Sequence, residues 1–123
     1  MPNLIILTNN HIVADMYPNM SRICSGSVYD VFAAVRDAVH MGAKIVSHPL
    51  SSSIKPNESP YKSVVISADT GLLDYKSLEI IEGAISVLKR LGGKNRDYSE
   101  SVLEDFRIID LESVVSACGT MVV

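Results

Sequence analysis

The sequence predicts a small three-layer α/β domain over residues 1–123, Rossmann-like, with a mainly parallel four-stranded sheet. Three observations lead there. Short apolar runs recur at Leu4–Leu7, Lys44–Val46 and Val64–Ile66, each too short for a helix and each closed by polar residues. Two longer stretches between and after them carry apolar residues at helical spacing. The length of 123 residues and a hydrophobic share of 47% suit one domain with a core of its own.

Taken in order, LIIL (4–7) reads as a buried strand, closed by Thr8-Asn9-Asn10. His11–Met16 suits a short helix that stops near Tyr17-Pro18. Arg22–Cys24 is a weaker strand, followed by the turn Ser25-Gly26-Ser27. Val28, Val31, Phe32, Val35 and Val39 then share a helix face, and Gly42 stands where a terminating glycine belongs. Ser27 and Asp30 have the spacing of a capping box at that helix's start. Lys44–Val46 and Val64–Ile66 are the third and fourth strands, the latter ending in Ser67-Ala68-Asp69. A second helix begins at Asp74, with Leu78, Ile81, Ile85 and Leu88 on one face, and Gly92-Gly93 stops it. Asn95–Ser99 reads as a polar linker. From Glu100 the pattern suggests one or two short helices around Ile108 and Ile109, with FRIID as an alternative edge strand.

Charge narrows the function classes. Eleven basic residues stand against 14 acidic ones, for a net charge of −3, and no basic stripe is present. Non-specific nucleic-acid binding needs such a stripe, so no nucleic-acid partner is expected. No apolar run reaches the roughly 18 residues of a membrane span, and the start of the chain reads as a strand rather than a signal peptide. Cys24 and Cys118 are far apart and form no CxxC. A reduced, cytoplasmic protein follows as the simplest expectation.

In open α/β sheets, ligands bind beyond the carboxyl ends of the strands. Parallel strands would bring Thr8-Asn9-Asn10, Ser25-Gly26-Ser27, His48–Ser53 and Ser67-Ala68-Asp69 to that one edge, with Lys55 and Lys62 reaching in from the loop. Hydroxyls, amides, an imidazole and a carboxylate, with two ammonium groups in reach, suit a small polar or anionic ligand. Blander roles compete for each group. Ser25 and Ser27 fit a turn and helix cap, Asn9 and Asn10 fit side-chain-stabilised turns, and His48 fits a hydrogen-bonded loop residue held extended by Pro49.

The connection HPLSSSIKPNESPYKS, residues 48–63, holds three prolines, five serines, a histidine and two lysines. Loops this long without regular structure are uncommon in a small domain and tend to be functional. The prolines lower the entropy lost when the loop orders, so an ordered lid or binding loop is expected. The competing role is a cover for the sheet edge or a subunit interface.

Other chemistries find little support. Ser-Gly-Ser is neither GxGxxG nor a Walker loop, and no G-x-S-x-G elbow is present. His11, His40 and His48 lack metal-ligand spacing, so no metal and no cofactor are expected. Cys24 precedes a helix start that would lower its pKa, although a small buried hydrophobe is the commoner role. The pairs Glu79/Glu82 and Glu100/Glu104/Asp105 read as solvated helix faces.

TNN after the first strand, GAKIVSHPLSSSIKPNESPYKSVVIS (42–67) and EDFRIIDLESV near the end resemble the GrdX family. The central stretch carries the likeness, through its His-Pro-Leu, Lys-Pro-Asn and Pro-Tyr-Lys-Ser parts. The resemblance implies a cytoplasmic protein encoded alongside the selenium-dependent glycine, sarcosine and betaine reductases of amino-acid-fermenting anaerobes. It brings no catalytic residue with it, and the chain lacks a redox pair that would make it the reductase. The motif residues it singles out are Asn9, Asn10, His48, Pro49, Leu50, Ser51, Lys55, Pro56, Asn57, Pro60, Tyr61, Lys62 and Ser63.

Three functional readings follow. The first is a non-catalytic accessory or regulatory protein that binds a small anionic ligand or reductase subunits, through Asn9, Asn10, Ser25, Ser27, His48, Ser51, Lys55, Asn57, Tyr61, Lys62 and Ser63. The second is a small acyl- or phosphoryl-transfer enzyme using His48 as base. The third is an interaction module whose loop builds a homodimer. The apolar ending VVSACGTMVV needs burial on its own domain or on a second chain.

Overall fold

The computed structural model describes residues 3–52, 54–92 and 97–121, apart from the side chains of Thr120 and Met121. Ser53, Gly93, Asn95 and the last two residues of the apolar ending therefore lie outside the described residues.

The apolar run LIILT forms β1 (Leu4–Thr8) at the centre of the sheet. The weaker strand forms β2 (Ser21–Ile23), parallel to it, with Ile6 opposite Ser21 and Thr8 opposite Ile23. SVVIS forms β3 (Ser63–Ser67) on the other side, and it runs antiparallel, with Leu4 opposite Ser67 and Thr8 opposite Ser63. The sheet is thus three-stranded and mixed, in the order β2-β1-β3. This corrects the expected Rossmann-like, mainly parallel, four-stranded sheet.

The reason lies in the connection before β3. A parallel neighbour requires a crossover across the sheet, usually through a helix. The described residues of 48–62 contain no helix, so the chain turns back at the edge it left and β3 descends against β1. The expected strand at Lys44–Val46 is reduced to a single antiparallel bridge, Ile45 to Ile66. Ser67 N donates to Lys44 O (2.8 Å), and Val46 N and Ser47 N both donate to Val65 O (2.9 and 3.0 Å), while serine hydroxyls accept from neighbouring backbone groups. Lys44 N donates to Ser67 Oγ (2.8 Å), Ile45 N to Ser77 Oγ (2.9 Å), and Val65 N to Ser47 Oγ (2.8 Å). Backbone groups satisfied by side chains no longer need a strand partner.

Helices cover both faces of the sheet, which is why its strands are apolar without alternation. Leu7, Val64 and Ile66 face α2 (Val28–His40) and α3 (Tyr75–Leu91), meeting Val31, Phe32, Val35, Ile81 and Ile85 in one core. Ile6 and Val65 face α1 (His11–Met16) and α4 (Glu100–Met121), meeting Val13, Val114 and Cys118. Cys118 in the apolar ending is therefore buried against the chain's own sheet.

The caps explain the helix starts. Asn10 Oδ1 accepts from Ile12 N at the start of α1, and Ser27 with Asp30 closes the predicted capping box of α2. Asp74 caps α3, accepting from Ser77 Oγ at 2.6 Å. Gly42, just past α2, has φ +110°, and a Cβ there would sit 2.4 Å from Gly71 N. Both the left-handed conformation and the close approach require glycine. From Glu100 onward one helix of 22 residues forms, in place of two short ones or an edge strand at FRIID. Phe106, Asp110, Val114 and Cys118 recur every fourth position along it.

Strand direction decides what shares an edge. The ends of β1 and β2 and the beginnings of both the long loop and β3 lie together. Ser67-Ala68-Asp69 leaves at the opposite edge, where Ala68 N donates to Asn3 O at 2.9 Å. The expected four-segment cluster is therefore three outgoing segments joined by the entry to β3.

Candidate functional site

At the shared edge, antiparallel register sets Thr8 beside Ser63 with both side chains buried, and their hydroxyls share a 2.6 Å hydrogen bond. From this pair a polar network extends into α4. Ser63 Oγ donates to Asp110 Oδ2 at 2.7 Å, and Asn10 Nδ2 donates to the same oxygen at 3.0 Å. Asn10 Nδ2 also donates to Arg107 O at 2.9 Å, tying the start of α1 to the turn of α4 that carries Asp110. Asp110 is 8% exposed. Burial pushes its carboxyl up, while the bonds from Ser63 and Asn10 and the charge of Lys62 pull it back.

Lys62, also 8% exposed, lies in the same wall. Burial pulls its ammonium down, and the Asp110 charge opposes that. The two act through space: among the described residues, the ion pair in direct contact is Arg107 with Glu100. No hydrogen bond from Lys62 Nζ exists among the described residues.

The long loop is fastened at several points. Asn9 continues the β1–β3 pairing, its Nδ2 donating to Gly26 O (3.0 Å) and Pro60 O (2.8 Å) while its Oδ1 accepts from Lys62 N (2.8 Å). Both donors and the acceptor of that amide are thus engaged. Arg107 Nη1 donates to Tyr61 Oη (2.9 Å), and Tyr98 Oη donates to Glu58 O (2.6 Å). The Tyr98 ring meets Phe106 edge-on at 5.0 Å. The segment is an ordered strap held by β1 and by α4.

Between strap and helix lies a cleft of about 30 Å³. At about 10–15 Å³ per water it holds roughly two, so a larger ligand needs the mouth or a movement of the strap. His48, Ser51, Lys55, Tyr61, Lys62 and Ser63 line it, and Asp110 joins them from α4. The other sequence-predicted residues lie elsewhere. Asn9 and Asn10 are braces behind the wall. Ser27 and Asn57 border a second, open cavity of about 650 Å³ at the start of α2. Ser25 is exposed in the β2–α2 turn and lines neither cavity. Asn57 Oδ1 is buried without a hydrogen-bond partner.

The second cavity is a poor place for an anion among the described residues. Glu58 and Asp97 line it, and the Asp30 carboxylate already accepts from Ser27 N at 2.8 Å beside it. His48 is exposed, and its Nδ1 accepts from Leu50 N at 3.1 Å, which leaves the proton of the neutral ring on Nε2. Among the described residues no hydroxyl or thiol is hydrogen-bonded to that imidazole. Cys24 is half-buried, and burial raises its thiol, only partly offset by a contact with the Thr8 backbone, in keeping with the commoner role of a small hydrophobe. Among the described residues no three His, Cys, Asp or Glu side chains gather as a metal site. No helix among them is long and apolar enough to cross a membrane.

Asp110 is the residue that sequence reasoning missed. Its signal was present: a carboxylate inside the apolar stripe Phe106, Val114, Cys118, where a solvated face would have placed it outside. Arg107 and Tyr98, which hold the strap, carried no such mark.

No curated protein and no solved structure matches the chain. A family profile described as GrdX-like protein matches residues 5–118, nearly the whole length. That span takes in the strap, the cleft wall and the helix that supplies Asp110, and the chain belongs to the GrdX-like family.

Proposed function

We propose that this protein is a non-catalytic accessory or regulatory component of an anaerobic amino-acid reductase system, and that it binds a small anionic ligand in the cleft between strap and α4. Family membership supports the association with the reductases. The observation that carries the binding site is Lys62, an ammonium buried in the cleft wall with its donors unused among the described residues. A partly desolvated ammonium that makes no hydrogen bond gains from a charge-assisted one, and an anion in the cleft would supply it. Lys55 and His48 at the same cleft would add to recognition.

The test is a thermal-shift screen of the pure protein against glycine, sarcosine, betaine, acetyl phosphate, phosphate and oxalate. A ligand at 100 times its Kd adds about 2.7 kcal/mol of stability, a readily measured shift. A stabilising anion whose effect vanishes in Lys62→Met supports the site. Stabilisation that survives Lys62→Met places the ligand elsewhere, and an absence of any shift refutes small-anion binding.

A further inference from the structure

The same wall combines an amine and a carboxyl on two largely buried residues, around a space of only about 30 Å³. Simple anion binding uses the amine alone and leaves the Asp110 carboxyl as a repulsive neighbour. A reaction that uses both groups accounts for both.

We infer that Lys62 captures short 2-oxo acids reversibly, forming an imine between Nζ and the ligand's carbonyl carbon. This rests on the reading of the cleft as the ligand site and names the ligand class. Three features carry it. Lys62 Nζ makes no hydrogen bond among the described residues, so its lone pair in the neutral form is not occupied. Burial lowers its pKa and favours that neutral form, which is the nucleophilic one. The inner space admits a carbonyl group but little more, while Lys55 and His48 line the same cleft and can meet a carboxylate that stays towards solvent.

The chemistry balances without any further reagent. The amine nitrogen adds to the carbonyl carbon and passes a proton to the oxygen, giving a carbinolamine. The hydroxyl then leaves as water, taking a proton from Asp110, and the nitrogen returns a proton to that carboxylate. The sum is amine plus carbonyl giving imine plus water. Asp110 lines the same cleft, and burial raises its carboxyl, which favours the protonated form that can donate. It is not in ion-pair contact with Lys62, so its carboxyl is not held by the amine.

The experiment treats the intact protein with glyoxylate and sodium cyanoborohydride, which reduces imines to stable amines, and maps the products by peptide mass spectrometry. The expected result is a carboxymethyl adduct that accumulates faster on Lys62 than on exposed Lys76 or Lys89. Asp110→Asn should slow the labelling of Lys62 and leave the other lysines unchanged, with circular dichroism confirming that the variant is folded. Labelling of Lys62 no faster than that of the exposed lysines overturns the inference. A parallel thermal-shift arm with oxalate and glycolate, which lack a reactive carbonyl, separates this outcome from failure of the binding site itself. Stabilisation by oxalate without preferential labelling leaves anion binding standing and removes the imine. Preferential labelling without stabilisation by oxalate supports the imine and removes simple anion binding.

Discussion

Removing the Asp110 carboxylate should unfasten α4 from the sheet edge and leave a buried cation without its counter-charge. Asp110→Ala deletes the acceptor for Ser63 Oγ at 2.7 Å and for Asn10 Nδ2 at 3.0 Å, and it removes the charge facing Lys62. Two hydrogen bonds to a charged acceptor, at about 1.5–2.5 kcal/mol each, put the loss at about 3–5 kcal/mol. For a domain of this size, at roughly 3–5 °C per kcal/mol, the melting temperature should fall by roughly 10–20 °C. Asp110→Asn keeps an acceptor oxygen in place and should cost less, about 1–2 kcal/mol. Lys62→Met alone relieves a desolvated charge while preserving both bonds to Asp110, and should stay within about 1 kcal/mol of wild type. The decisive measurement is the double variant Asp110→Ala/Lys62→Met in urea denaturation at neutral pH. It should recover at least about 1 kcal/mol of the Asp110→Ala loss, because neighbouring groups in one network are not additive. Full additivity would mean that the two charges are not coupled. An Asp110→Ala protein within about 1 kcal/mol of wild type would refute the anchoring role outright.

Three further outcomes follow from the same geometry. Because Asp110 is raised by folding, its contribution to stability is fully present below the ordinary carboxylate range and is lost as pH rises through its native value. Lys62 is lowered by folding, so its contribution is present above the ordinary lysine value and is lost as pH falls through the native one. Stability curves against pH should therefore lose their acid-side decline in Asp110→Asn and their alkaline rise in Lys62→Met; unchanged slopes would contradict these assignments. Asn9→Ala removes three hydrogen bonds that close the strap and should cost about 2–3 kcal/mol. Limited proteolysis should then cut within residues 54–62 faster than in wild type, and equal protection would show that α4 alone holds the strap. Gly42→Ala should cost about 2–4 kcal/mol through its positive φ and the approach to Gly71 N, measured as a shift in the urea midpoint without loss of helical signal.

The strap links fold to function. A connection with three prolines and few apolar residues has little core of its own, so it orders only where other elements hold it. Here Asn9 holds its descending end, and Arg107 and Tyr98 on the α4 side hold its middle. Full enclosure of anything larger than water in the cleft, beyond its mouth, requires these contacts to yield, so the same bonds govern stability and depth of access.

Much of this architecture was legible locally. The helix from Val28 and the helix from Asp74 announced themselves by their caps and by apolar residues three and four apart, signals that depend on neighbours within one turn. Strands 4–8 and 63–67 were legible as apolar runs, and the strap as a proline-rich one. The final helix was obscured because Ile108-Ile109 reads equally well in a strand and because a carboxylate interrupts its apolar stripe.

What the sequence determined by itself was therefore three of the four expected strands, the first three helices and the residues that crowd one loop. What only the tertiary structure decided was direction and company. Chain sense is not encoded within a strand; β3 runs against β1 because a helix-free loop returns it to the edge it left, and this moved Ser67-Ala68-Asp69 away from the site. Asp110 acquires its meaning from Ser63, 47 residues earlier, and from Asn10, 100 residues earlier. A carboxylate on a helix is ordinary until burial removes its water and supplies a serine, an amide and a lysine in exchange, and burial belongs to the assembled fold.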